Sequence, residues 1–276
     1  MQAYKSLLLI AVLSPAALLL GGCRGDNVNR TDEGTLVLGG TEVTETLTRG
    51  VDPGSRTLVL NGFNGTIQLE GTDAGAASLQ FTKKARGSDN DAARQNLAEI
   101  AIDESGDNLS YTYAMHSESP ERTSVDVSGT VPYGTNLSIQ LRNGDVQISS
   151  VTGPITVRNE NGSIRISGAA SNVQAVTQNG SVEAAFQELP PDASVRLSTS
   201  SGTVSFAPPA GASALIQAST EAGNIRVADG LQFTSQSLKP EGAGGEFIGK
   251  LGAGNADVTL STNAGQIVLE QGAVKG

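Results

Sequence analysis

The chain has 276 residues with 34 glycines, a single cysteine, no tryptophan and a formal net charge of −10. That length allows one large domain or two small ones. The acidic balance argues against nucleic acid or anionic headgroups as partners, since both are held through basic patches, and a lone cysteine rules out an internal disulfide.

The first element is a leader. Lys5 supplies a positive charge, an apolar run follows from Leu7 to Leu20 interrupted only by Ser14 and Pro15, and Gly21-Gly22-Cys23 comes next. A charged start, a short apolar stretch and small residues before a cut mark a secretory signal. The run is shorter than the ~20 apolar residues that span a bilayer. A cysteine directly after the small pair resembles the bacterial lipobox, which implies a signal peptide over 1–22 and a lipid thioether on Cys23. Two or more acyl chains anchor stably where one does so marginally. Arg24, rather than Asp, follows the cysteine, and by the same resemblance favours the outer membrane if the source is Gram-negative. Residues 23–35 are polar and read as a flexible tether.

From residue 36 onward Val, Ile, Thr and Ser alternate, and the class is mostly β. Gly65, Gly144, Gly162, Gly180, Gly202, Gly223 and Gly265 each sit in a turn between two alternating segments. Asn64, Asn143, Asn161 and Asn179 precede four of them, and Asn-Gly is a strong turn dipeptide. Aligned on the glycine, the residues at −7, −5, +2 and +4 are apolar throughout. The unit around Gly162 has Ile155, Val157, Ile164 and Ile166; that around Gly180 has Val173, Ala175, Val182 and Ala184; that around Gly265 has Val258, Leu260, Ile267 and Leu269. A spacing of two is the mark of a strand with one buried face. The step from −5 to +2 is odd, so a straight strand would turn the second pair outward. The chain therefore bends at each glycine. Successive glycines from Gly144 to Gly223 are 18, 18, 22 and 21 residues apart. This period fits a parallel β-solenoid with one coil per repeat. It also fits antiparallel hairpins, and periodicity alone leaves both open.

Two segments break the pattern. Residues 71–130 predict a small α+β insertion: a strand near Leu79–Thr82, a helix from Asp91 to Ile102 capped by Asp89 or Asn90, and strands at Leu109–Tyr113 and Val125–Val131. Such an insertion suits a cap over an open solenoid end. Residues 229–254 are polar and glycine-rich, and predict a long loop with a short strand near Phe247.

Leu58-Val-Leu-Asn-Gly-Phe-Asn-Gly-Thr-Ile-Gln-Leu, Val131-Pro-Tyr-Gly-Thr-Asn-Leu-Ser-Ile and Leu260-Ser-Thr-Asn-Ala-Gly-Gln-Ile-Val-Leu together resemble the bacterial family named "putative adhesin domain". The resemblance covers roughly residues 58–269 and implies an exported or envelope-associated β-solenoid without assigned catalytic residues. The adhesin label is an analogy and transfers no activity.

Candidates for chemistry are few. His116 is the sole histidine and lies among Ser and Glu in what reads as a polar loop, with no Ser/His/Asp arrangement around it. Asp103, Glu104 and Asp107 crowd the end of the predicted helix, but their spacing matches no calcium loop. Polysaccharide-cleaving solenoids need acids clustered on neighbouring coils. Here the residues after the glycines are Asp145, Ser163, Ser181, Thr203, Asn224 and Gln266, with one carboxylate among them. No cofactor or metal motif is found. The reading that follows is a lipid-anchored, non-enzymatic binding or structural module of the cell envelope with an unknown protein or glycan partner. The alternative is an envelope polysaccharide hydrolase or lyase. Sensing of envelope stress through a protein partner is a third reading, for which the sequence offers no feature of its own.

Overall fold

A computed structural model describes residues 28–30, 36–38 and 40–272. Cys23 and the signal segment 1–22 lie outside the described residues. The chain divides into two units, Met1–Gly39 and Gly40–Gly276. In the first, β1 (Val28–Arg30) pairs antiparallel with β2 (Leu36–Leu38). Residues 28–30 of the stretch read as a tether form β1.

In the second unit, β3 (Thr41–Val51) leads to β4 (Thr57–Asn61) and β5 (Ile67–Thr72), which flank Gly65. The following segment holds β6 (Ala77–Gly87), α1 (Asn90–Ala98), β7 (Ala101–Gly106), β8 (Ser110–His116) and β9 (Thr123–Pro132). Four glycine-centred strand pairs come next: β10 (Asn136–Asn143) with β11 (Val146–Ser149), β12 (Ile155–Asn161) with β13 (Ile164–Ala169), β14 (Val173–Asn179) with β15 (Val182–Phe186), and β16 (Ser194–Ser201) with β17 (Val204–Ala207). The chain ends with β18 (Ala214–Ala222), β19 (Ile225–Val227), β20 (Phe233–Glu241), β21 (Gly244–Leu251), β22 (Ala256–Ala264) and β23 (Ile267–Leu269).

Each glycine-centred pair is a rung. Its first strand lies in one sheet, ordered β20-β21-β18-β22-β16-β14-β12-β10-β4-β8-β7, and its second in another, ordered β19-β23-β17-β15-β13-β11-β5-β9-β6-β3. Rungs stack in parallel and in register: Ile155 pairs with Leu137 on one side and Val173 on the other, and Ile164 with Val146 and Val182. Like sits on like, so the apolar residues at −7, −5, +2 and +4 merge into one core. All of them are buried except Ile225 and Val227, whose strand ends its sheet and has a rung on one side only.

Three features differ from the sequence expectations. Residues 229–254 hold a β-hairpin, β20–β21, paired antiparallel with β18 through β21. Its inward positions include Gly245 and Gly249 as well as Phe247 and Leu251, so glycine hides the apolar alternation. A Cβ on Gly249 would run into the rings of Phe233 and Phe247, which meet edge-on at 5.4 Å. Second, the last rung in sequence is not last in space. β22 lies between β16 and β18, and β23 between β17 and β19. Third, α1 stops at Ala98 and the segment through Ile102 passes into β7. Asp89 caps the helix by accepting the Ala92 N–H at 2.8 Å, and the helix buries Ala93 and Asn96. Beyond the helix, β8 and β9 pair parallel with β4 and β5, so the insertion supplies a further rung.

The register predicts opposite outcomes at adjacent residues. Ile164 is 1 % exposed in the core, so Ile164→Asp should destabilise by about 4 kcal/mol or more through a buried unpaired charge. Arg165 faces solvent and pairs with Glu183 at 2.8 Å, so Arg165→Ser should cost under about 1 kcal/mol. Chemical denaturation of the two variants checks this, and equal midpoints would refute the register.

Candidate functional site

The corners decide which polar groups are free. Gly65, Gly144, Gly162, Gly180, Gly202, Gly223 and Gly265 have φ between +127° and +153°, a region that L side chains rarely adopt. They also stand in a column. A Cβ on Gly162 would overlap the carbonyl oxygen of Gly144, and one on Gly180 that of Gly162. The Gly144 N–H donates to the Asn161 carbonyl at 2.8 Å, and the Gly162 N–H to the Asn179 carbonyl at 2.7 Å.

Three side-chain columns complete the corner. At −1, Nδ2 of Asn143 donates to Oδ1 of Asn64 at 2.7 Å, Asn161 to Asn143 at 2.9 Å, and Asn179 to Asn161 at 2.8 Å. Asn64 ends the ladder by donating to the carbonyls of Pro120 and Thr123. At −3, the inward-facing side chain satisfies the glycine carbonyl of the adjoining rung. Asn159 Nδ2 donates to Gly144, Thr177 Oγ1 to Gly162, Thr199 to Gly180, Thr262 to Gly202 and Thr220 to Gly265, at 2.7–3.1 Å. At +1, Asp145 Oδ1 accepts the Ser163 N–H at 2.7 Å, and Asp126 Oδ1 accepts that of Thr66 at 2.9 Å. Burial raises the Asp126 carboxyl, but the Lys84 ammonium and the Thr66 N–H outweigh it and the net effect is a lowered pKa. The column that the sequence offers as an outward polar face is therefore partly bonded into the stack. The sequence shows the Asn-Gly turns but not these ladders, which exist only once the rungs are parallel and in register.

The sheet faces differ from the corners and from each other. On the outer face of the sheet containing β10, the −6 and −4 residues of the seven rungs include Ser138, Gln140, Thr156, Arg158, Gln174 and Arg196, and no carboxylate. Among the described residues, these six side chains make no hydrogen bond within the chain. On the opposite face Arg165 bonds Glu183 and Ser205 bonds Glu270, while Gln68 and Gln147, among the described residues, make no side-chain hydrogen bond.

The candidate acids and the histidine are dispersed. His116 ends strand β8 instead of lying in a loop, exposed, with Nδ1 3.7 Å from Asp103. Asp103 and Glu104 belong to β7 instead of a helix end. Glu104 accepts the Tyr111 hydroxyl, which raises the Tyr111 pKa, and lies 3.8 Å from Arg49. Asp107 closes a turn, accepting the N–H groups of Leu109 at 2.8 Å and Ser110 at 2.6 Å, and these bonds lower its pKa. Among the described residues, no three His, Cys, Asp or Glu side chains group as metal ligands. A groove of about 290 Å³ brings Glu42 and Glu121 together with Lys84, Arg86 and Arg122. Its two carboxylates face guanidinium groups, Glu42 at 2.8 Å from Arg86 and Glu121 at 3.7 Å from Arg122. Neither has the apolar surroundings of a proton-holding acid.

A rung-built stack of two sheets with glycine corners covers most of the length matched by one family, residues 64–270. The chain belongs to the Toastrack DUF4097 family. Among solved structures, a "putative cell adhesion protein" from Clostridium sporogenes is 11% identical. The match covers 83% of this chain and all of that one, with a TM-score of 0.50. A "putative adhesin" from Bacteroides fragilis is also 11% identical over 82% of this chain and 97% of that one, at a TM-score of 0.27. At such identities the first likeness speaks to the fold alone. Comparison with curated proteins finds no match. Within the Toastrack chain, the corner glycines carry structure, and the outer faces hold polar groups that the corner stacking does not use.

The corner account predicts a ranking. Gly162→Ala places a methyl against backbone and should cost about 3 kcal/mol or more. Thr177→Val orphans the Gly162 carbonyl, for about 1–3 kcal/mol. Asn161→Ala removes two ladder bonds, each worth about 0.5–1.5 kcal/mol. Gln178→Ala, on an exposed position, should be neutral. Urea denaturation measures all four, and a Gly162→Ala variant as stable as Gln178→Ala would contradict the account.

Proposed function

We propose that this Toastrack chain is a lipid-anchored β-solenoid that acts as a non-enzymatic binding module of the cell envelope. Its partner is a protein or glycan that docks across the outer face of the sheet containing β4, β10, β12, β14, β16, β22 and β18. The observation that carries this reading is the contrast between faces. In a chain of net charge −10, the central −6 and −4 positions of this face hold Arg158 and Arg196 and no acid, the acids of these strands (Glu160, Glu221 and Asp257) stand towards the strand ends, and the hydroxyls and amides at −6 and −4 are unengaged. Seven strands at ~4.8 Å spacing give a platform about 30 Å wide, on the scale of one side of a standard interface. Many weak polar contacts on a rigid surface suit recognition better than bond cleavage, which needs converging acids. The lipid on Cys23 would hold this platform at a membrane surface, the outer membrane if the source is Gram-negative.

The test is crosslinking and pull-down of the full-length protein from native membranes. A specific partner should be recovered with the wild type and lost with the Arg158→Glu/Arg196→Glu double variant, while Cys23→Ala should leave the membrane fraction. Equal recovery with the double variant would sink the docking face. Retention of Cys23→Ala in membranes would sink the anchor, and turnover of a polysaccharide substrate would favour the hydrolase or lyase.

A further inference from the structure

One end of the stack is stepped. Past the rung β18/β19, the first sheet continues for two strands, β21 and β20, while among the described residues the second sheet stops at β19. The hairpin therefore overhangs. Its inward side bears Phe247 and, opposite it in register, Leu238. Phe247 is buried, but Leu238 is 56% exposed, because no described strand faces β20 from the second sheet. Ile225 and Val227 are half-buried at the uncovered edge of β19. Between overhang and edge lies a notch of about 570 Å³ lined by these four residues together with Ala228, Leu231, Gln236 and Asp229. Its apolar side chains are those a facing strand of the second sheet would cover, and Gln236 and Asp229 stand among them.

We propose that a second copy of this chain fills the notch, forming a closed end-to-end dimer. The step is self-complementary: two strands project in one layer and two places stand vacant in the other. A two-fold axis along the strands exchanges the layers, so each hairpin enters the other's vacancy. Leu238 and Phe247 then face their counterparts, and the free edge of β19 meets β20 of the second copy. Such an axis makes an isologous contact that closes on itself instead of propagating into a fibre. Arg226, Lys239 and Lys250 near the step counter three of the four acids on the same segments, Glu221, Asp229, Glu241 and Glu246, so the step is far less acidic than the chain as a whole. Pro240 on the outermost strand lacks an N–H and discourages indiscriminate strand addition there. The overhanging hairpin offers about 10 Å by 30 Å on each copy, less than the ~800 Å² per partner of a standard interface, so association is expected to be weak, with half-association between about ten and a few hundred micromolar.

Sedimentation equilibrium of the full-length protein in density-matched detergent tests the dimer between about 1 µM and 1 mM. Leu238→Lys, at an exposed site on the inward side, should weaken association by tenfold or more. Ile248→Lys, on the outward side of the same hairpin and 49% exposed, should leave it unchanged. Hydrogen exchange at the Ile225 and Val227 amides should slow as concentration rises. A monomer throughout the range overturns the proposal, whether the notch is left open or covered by another part of the chain. A dimer indifferent to Leu238→Lys, or abolished by Ile248→Lys, overturns it as well.

Discussion

The glycine corner is the constraint on which the rest depends. Parallel strands a few ångströms apart must all turn at the same height, and at that height the carbonyl of one rung occupies the space a side chain would need in the next. Glycine removes the collision, and its positive φ sets the bend that carries the chain from one sheet to the other. With the bend fixed, the odd step from −5 to +2 keeps both apolar pairs inward. Corner carbonyls that point out of the strand ladder would be costly to leave unpaired. The threonine hydroxyls and the Asn159 amide at −3 supply the bonds from inside, and the asparagine ladder ties the outside.

Much of this was legible before any coordinates. Alternation at −7, −5, +2 and +4 named almost the whole repeated core, and of the two cap candidates, Asp89 and Asn90, Asp89 is the one that caps the helix. What could not be read shares a physical origin: it depends on which strand lies beside which. Asn161 can be seen to favour a turn, but bonding Asn143 and Asn179 requires parallel, in-register neighbours. The rung order is similarly hidden, because β22 is as good a neighbour for β18 as for β16. The β20–β21 hairpin escaped since Gly245 and Gly249 fill inward positions. The helix was extended too far because Ile100, buried beyond its end, mimics the helical period.

Groups that look available in sequence, such as Asp145, Ser163 and Asp107, are bonded within the chain. His116 and the acids near it lie along strands and a turn instead of converging on a reacting centre. The polar residues left unengaged are spread over a flat face, where no single contact is strong. In the proposed role a surface of that kind would select through register and extent, and would benefit from being rigid beforehand. Corner stacking ties each rung to the next and so favours such rigidity.

The most direct test of the corner account is native-state hydrogen exchange at the amides of Gly144, Gly162, Gly180 and Gly202. Each N–H donates to a carbonyl in the adjoining rung, so the account predicts that all four exchange slowly, with one common free energy equal to that of global unfolding. Corner amides that exchange independently of one another, or as fast as the exposed turn amide of Gly75, would contradict it.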